Sequence, residues 1–336
     1  MSRLNKAPQI QRLAQDLKLK ASPDPVRTIL GLCEQRVRTA LKEFPSCTRP
    51  AKLLEVLAAK LQTRFEVAAS DSDLLDIKNR YLHAGEKRFV TLEKEFPSDV
   101  FGITFRRLAR QAWEPEYISV IDSRGAKGFR SNYTKWHEIG HLLVLTDQLR
   151  LSFSRTFCTQ DFKDPEESLV DIIAGHFAFW PPLISKYAVG EVSFDRIEEV
   201  RREVCPEASR QSALLGIVKS WQSPCILLEA RLGLRKKEQQ LSQQHFSFRE
   251  SPKPALRVSN VTISEAAAQE HLRVHRNWRV PEQSIISLAF SAGSEMEGVE
   301  DLSRWETSSG ATLDPRKVRV QAKASGESVM ALVSPV

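Results

Sequence analysis

The twelve residues from Thr134 to Leu145, Thr-Lys-Trp-His-Glu-Ile-Gly-His-Leu-Leu-Val-Leu, constrain this chain more than any other stretch. His137 and His141 stand four residues apart, so an α-helix carries both imidazoles on one face, one turn apart and within reach of a single metal ion. Glu138, beside the first histidine, has the place of a general base toward a water whose pKa a metal lowers. Leu142, Leu143, Val144 and Leu145 then carry the helix into an apolar core. The competing reading is an amphipathic helix with two exposed histidines. A third ligand decides between them.

That ligand is found downstream. Residues 164–182 read as a second helix, with Asp164 as N-cap, Pro165 at the first helical position and an acidic first turn at the positive end of the helix dipole. Glu167 and Asp171 lie four apart on one face, and Leu169, Ile172, Ile173 and Phe177 supply the buried side. Glu167 would coordinate the metal, and Asp171 would accept a hydrogen bond from a ligand imidazole and orient it. Taken alone, Glu167 reads as an acid stabilised by the helix dipole; the upstream motif reverses that reading. Two His and one Glu leave a coordination position open for water, as a catalytic rather than a structural zinc site requires. Zn²⁺ fits this donor set, which Mn²⁺ and Fe²⁺ also accept. An oxyanion would need one more donor, for which Tyr133, Tyr187 and His176 are the candidates. His176 reads equally as a packed core residue.

Around these helices the chain changes character several times. Helical periodicity runs over residues 1–22, 26–41, 50–64 and 71–82. Strands are expected at Arg88 to Glu93, Val100 to Phe105 and Glu116 to Asp122, where β-branched and aromatic residues gather. Tyr117 to Ile121 is the candidate for a strand that holds an extended peptide beside the metal; the alternative is an interior strand without substrate contact. A long polar loop through Phe157 and Cys158 to Lys163 has the character of a lid. Helices follow at Ser193 to Val204 and Glu207 to Lys219, then a charged boundary at Arg235 to Gln240 and a linker at Ser251 to Pro254. Beyond it, strands are expected near Leu256, over Ser284 to Phe290, over Lys317 to Ala322 and over Val329 to Val333, with one helix near Ser264 to Leu272. His271 and His275 repeat the four-residue spacing but have no acidic partner, and read as surface residues.

With 336 residues, 41% of them apolar, the chain is long enough for about two domains with a real core. No run of eighteen apolar residues and no apolar leader segment is present, so a cytoplasmic protein with no membrane contact is expected. Five scattered cysteines without a C-x-x-C pair fit reduced thiols better than a disulfide framework. The net charge of +7 is N-terminal: residues 1–60 hold twelve basic against five acidic residues, and the remainder balances at 37 and 37. Such an arm attracts nucleic acid or an acidic partner, or is simply a solvated helical face, which the interspersed acids favour.

The pattern His137-Glu-Ile-Gly-His141, followed 26 residues on by Glu167-x-x-x-Asp171 and then Trp180-Pro-Pro, resembles the ImmA/IrrE family of metallo-endopeptidases within the gluzincin group. The resemblance covers roughly residues 50 to 235, and Ser220 to Leu234 is similar to the short helical segment that closes the family's peptidase domain. It departs at Ile139, where the family more often has Leu, and at His176, where a small or apolar residue is expected. The resemblance implies a zinc protease that cuts helix-turn-helix transcriptional repressors and so switches on stress or mobile-element genes. It makes His137, His141 and Glu167 ligands, Glu138 the base and Asp171 their support. The expected fold is α+β: a basic helical arm over 1–49, a zincin-like metallopeptidase domain over 50–240 and a small α+β or mainly-β domain over 255–336. The competing functions are a regulatory protein that binds a repressor or nucleic acid through a structural or vestigial metal site, and a metal hydrolase of small molecules.

Overall fold

The computed structural model describes residues 2–145, 152–156, 164–234, 253–306 and 312–336. The architecture is α+β, and the chain divides into two compact units, one of residues 1–183 with 205–209 and one of 184–204 with 210–336. The loop expected after Leu145 as a lid carries a strand at Ser152–Thr156, and the rest of it, including Cys158, lies outside the described residues, as does the charged boundary Arg235 to Gln240.

The first unit begins with helices α1 (Ser2–Asn5), α2 (Pro8–Asp16), α3 (Pro25–Lys42) and α4 (Pro50–Lys60). Strand β1 (Thr63–Ala68) and helix α5 (Asp71–His83) follow, then strands β2 (Val100–Arg106) and β3 (Tyr117–Asp122). Helix α6 (Ser131–Leu143), strand β4 (Ser152–Thr156) and helix α7 (Pro165–Ala178) complete the elements that matter for the site. The sheet order is β1-β3-β2-β4, with β1 parallel to β3 and the other pairs antiparallel. One face of this sheet is covered by α5 and the segment after it, through Leu74, Ile77, Tyr81, Phe89 and Leu92 against Ile103, Phe105, Ile118 and Val120. Helix α6 packs against β2, β3 and β4.

Three expectations are corrected here. The helix expected to reach residue 64 stops at Lys60, because Thr63, Phe65 and Val67 alternate with Arg64 and Glu66 and pair along β3 as a strand. Arg88 to Glu93 is not a strand but part of a 3₁₀ segment, Lys87–Glu95. Phe89 and Leu92, three apart, both enter the core there while Val90 is 58% exposed, which is the periodicity of that helix and not of a pleat. Tyr117 to Ile121 is a strand, but an interior one, hydrogen-bonded to β1 on one side and β2 on the other, so its backbone has no edge to offer. Within the expected basic helical arm, α2 and α3 pack against α7.

The second unit begins within helix α8 (Pro181–Ile184) and holds α9 (Phe194–Val204), α10 (Arg210–Lys219), β5 (Ile226–Gly233), β6 (Ala255–Ile263), α11 (Glu265–Gln269) and α12 (Ile285–Ala292). Strands β7 (Glu295–Asp301), β8 (Lys317–Ser325) and β9 (Ser328–Pro335) close a sheet of order β6-β5-β9-β8-β7. Two further expectations change. Ser284 to Phe290, expected as a strand, is helical: Ser284 caps Ile286 N, Ile286 and Ala289 are buried three apart, and Gly293 ends the helix at φ 63°. The segment 220–234, expected to be helical, carries β5, whose Ile226, Leu228 and Ala230 enter a core with Val258, Trp278 and Trp305.

Candidate metal centre

Two helices bring the predicted ligands together, and a glycine sets their approach. Helices α6 and α7 touch where Gly140 faces Val170: a Cβ at residue 140 would lie 3.0 Å from Val170 Cγ1 and 3.2 Å from Val170 O. Gly140 sits between His137 and His141, so the absence of its side chain is what lets α7 come near enough for an acid to reach both imidazoles. Helix α7 starts as expected, with Asp164 Oδ1 accepting from Glu166 N at 2.7 Å and Pro165 in the first turn. Glu167 is one position into that first turn from Glu166.

The donor atoms converge. His137 Nε2 and His141 Nε2 are 3.1 Å apart, Glu167 Oε2 is 3.1 Å from His137 Nε2, and Glu167 Oε1 is 3.4 Å from His141 Nε2. For ligands about 2.0–2.1 Å from a tetrahedral ion the donor–donor edge is about 3.3–3.4 Å, so the three separations suit zinc. Both histidines are buried, and His137 Nδ1 lies 2.9 Å from Asp171 Oδ1. A carboxylate only accepts, which places the proton on Nδ1 and turns the Nε2 lone pair toward the other donors. Burial alone would raise the Glu167 carboxyl pKa; when the imidazoles are protonated, the hydrogen bond from His137 and the charges of His141 and His137 outweigh it and hold it below the usual carboxylate range, and a divalent cation would take the place of those protons. An acid kept ionised between two imidazoles is what a divalent cation needs.

Glu138 faces the sheet. It is wholly buried, and Thr104 Oγ1 on β2 donates to its Oε2 at 2.7 Å. Below it lie two more hydroxyls, Ser119 on β3 and Thr63 on β1. Sequence reasoning missed Thr104, Ser119 and Gly102; strand alternation puts Thr104 and Gly102 on one face, but only the register between strands joins them to Glu138. Of the three candidate oxyanion donors, Tyr133 Oη donates to Asp171 O at 3.0 Å, so it braces α7 beside the ligands. His176 Nε2 lies 2.9 Å from Glu34 Oε1 on α3, and the structure thereby ties it to the N-terminal helices. Tyr187 belongs to the second unit, where Lys186 Nζ stands over its ring at 4.9 Å. His271 and His275 are both exposed, as expected for surface residues.

The N-terminal helix α3 grips the back of this site. Arg36 donates to Leu143 O at the last turn of α6, and the Arg38 guanidinium lies 5.4 Å over the Trp180 ring. Among the described residues no helix is long and apolar enough to cross a membrane.

No family model and no curated protein matches the chain. Among solved structures it is similar to a Mycobacterium tuberculosis transcriptional regulator, at 11% identity and a TM-score of 0.36, over 100% of this chain and 77% of that one. A likeness that slight carries no argument about function.

Proposed function

We propose that this chain is a zincin-like, zinc-dependent endopeptidase of the ImmA/IrrE kind, with His137, His141 and Glu167 as its metal ligands. The observation that carries the reading is the convergence of three donor atoms from two helices, 3.1 to 3.4 Å apart, with Asp171 fixing the tautomer of His137. A zinc ion held there supplies a Lewis acid that polarises a carbonyl and lowers the pKa of water. The protein's own groups do the rest. Asp171 holds the His137 ring, and Tyr133 holds the α7 backbone at Asp171. Glu138, as a buried carboxylate beside His137, takes the proton of the attacking water and passes it to the leaving amine. Among the described residues strand β4 ends the sheet, and it packs against α6, so its outer backbone groups would offer an edge to an extended peptide near the ligands.

The resemblance of the ligand pattern makes a helix-turn-helix transcriptional repressor the expected substrate. The test loads the purified chain with zinc, measures metal per chain, and incubates it with a repressor encoded beside it, mapping products by mass. One zinc per chain and one discrete cut, abolished by chelation and by His141→Ala, is the expected result. A chain that takes up no zinc, or a repressor left whole by the loaded protein, would sink the proposal.

A further inference from the structure

A carboxylate buried as deeply as Glu138 has to be met by hydrogen-bond donors, and the sheet beneath supplies an ordered set. Thr104 Oγ1 lies 2.7 Å from Glu138 Oε2, Ser119 Oγ lies 2.6 Å from Thr104 Oγ1, and Thr63 Oγ1 lies 3.1 Å from Ser119 Oγ. Each hydroxyl carries one proton, and an ionised carboxylate carries none. The proton of Thr104 therefore points at Glu138, that of Ser119 at Thr104 and that of Thr63 at Ser119. Three strands thus contribute one chain of aligned O–H dipoles that ends on Glu138. All three side chains are buried, with Thr63 at 6%, Thr104 at 1% and Ser119 at 0% exposure, so bulk water is kept from competing for these bonds.

The other oxygen of Glu138 is located by a missing side chain. A Cβ at Gly102 would lie 2.8 Å from Glu138 Oε1 and 2.6 Å from Thr134 Cγ2. Gly102 and Thr104 are two apart on β2 and so share the face on which Glu138 rests. A lone threonine could turn its proton toward any acceptor. With Ser119 donating to its lone pair, Thr104 has one orientation left.

We infer that Thr104 is the positioning residue of Glu138, with Ser119 and Thr63 orienting its hydroxyl and Gly102 giving the carboxylate room. Strand β2 thereby sets the direction in which the base meets its water. This rests on the reading of Glu138 as the base. A packing role and a positioning role for Thr104 make opposite demands: Val, of the same shape, satisfies the first, and Ser, with the same hydroxyl, satisfies the second.

The experiment compares Thr104→Val, Thr104→Ser and Ser119→Ala in the zinc-loaded full chain, using a quenched-fluorescence peptide mixture as the probe and crystal structures of each variant. Misplacing a reacting group by about 1 Å costs on the order of 100-fold in rate. Thr104→Val is expected to lower kcat by about 10- to 100-fold with KM and zinc content unchanged, and Thr104→Ser to stay within about threefold of the parent. Ser119→Ala should fall between them, and it carries the comparison should the valine variant not fold. In the crystal structures the Glu138 carboxylate leaves its place over Gly102 in the valine variant and keeps it in the serine variant. A valine variant with parental kcat and an unmoved carboxylate overturns the inference. If no variant, the parent included, cuts any peptide while the carboxylate moves as stated, the hydrolase reading falls and the positioning role stands.

Discussion

Asp171 decides what His137 is. Without a carboxylate at Nδ1 the imidazole would sample both tautomers and more than one ring orientation; with it, Nε2 faces Glu167 and His141. Asp171→Ala is therefore expected to weaken zinc binding by about 10- to 100-fold, read by competition with a chromogenic chelator, while leaving the fold intact. Asp122 shows the opposite use of a buried acid. Burial would raise its pKa, but Arg124 at 2.8 Å and Lys127 at 2.6 Å outweigh that and hold it below the ordinary value. Because the folded pKa lies under the unfolded one, this pair of contacts stabilises the protein above about pH 4 and is lost as pH falls through the lower, folded value. Asp122→Asn should cost stability at pH 7, with the gap to the parent narrowing toward pH 3, as urea titrations at the two pH values would read. At this scale the cluster of His137, His141 and Glu167 was legible in the sequence, since i, i+4 spacing on a helix needs no knowledge of the rest of the fold. Thr104 and Ser119 were not, because their meeting depends on the register of β2 with β3.

The helix pair α6 and α7 shows how narrow the tolerance is at the scale of elements. Gly140→Ala would add about 0.5–1 kcal/mol of helix propensity, but its Cβ would meet Val170 Cγ1 at 3.0 Å and the backbone oxygen of Val170 at 3.2 Å. Overpacking against backbone costs about 1–3 kcal/mol, so the clash wins and the helices separate. The expected outcome is a lower thermal midpoint together with loss of zinc affinity, whereas a surface Gly→Ala would raise the midpoint. Helix α7 was legible because its start is chemical, an Asp164 cap followed by Pro165. Helix α12 was misread as a strand because Ile285, Ile286, Leu288 and Phe290 are as apolar as a strand, and only the Ser284 cap and Gly293 stop distinguish them. Only Thr63 and Arg64 of strand β1 fell within the helix expected over 50–64, and the rest of the strand had no reading. Its partner is β3, more than fifty residues on, and a parallel pairing at that distance leaves no local trace.

For the whole molecule, the proposed metal site draws on more of the chain than its motif suggests. The first unit includes α3, whose Glu34, Arg36 and Arg38 hold His176, Leu143 and Trp180. The basic excess of residues 1–60 thus includes side chains that brace α6 and Trp180. Cys33 and Cys225 stay out of the chemistry. Burial pushes the Cys33 thiol up to about 12 and the Cys225 thiol up to about 11, and both are free. A thiol so far from ionising is a poor nucleophile, so iodoacetamide at pH 8 should leave Cys33 and Cys225 unlabelled in the native protein and label both after denaturation. The central claim, that three side chains hold a metal and a fourth does the proton transfer, comes down to Glu138→Gln. That change keeps the shape of the side chain and removes its basicity. The account predicts a variant that still binds one zinc per chain and no longer cuts the repressor; a Glu138→Gln protein that cuts as the parent does would contradict it.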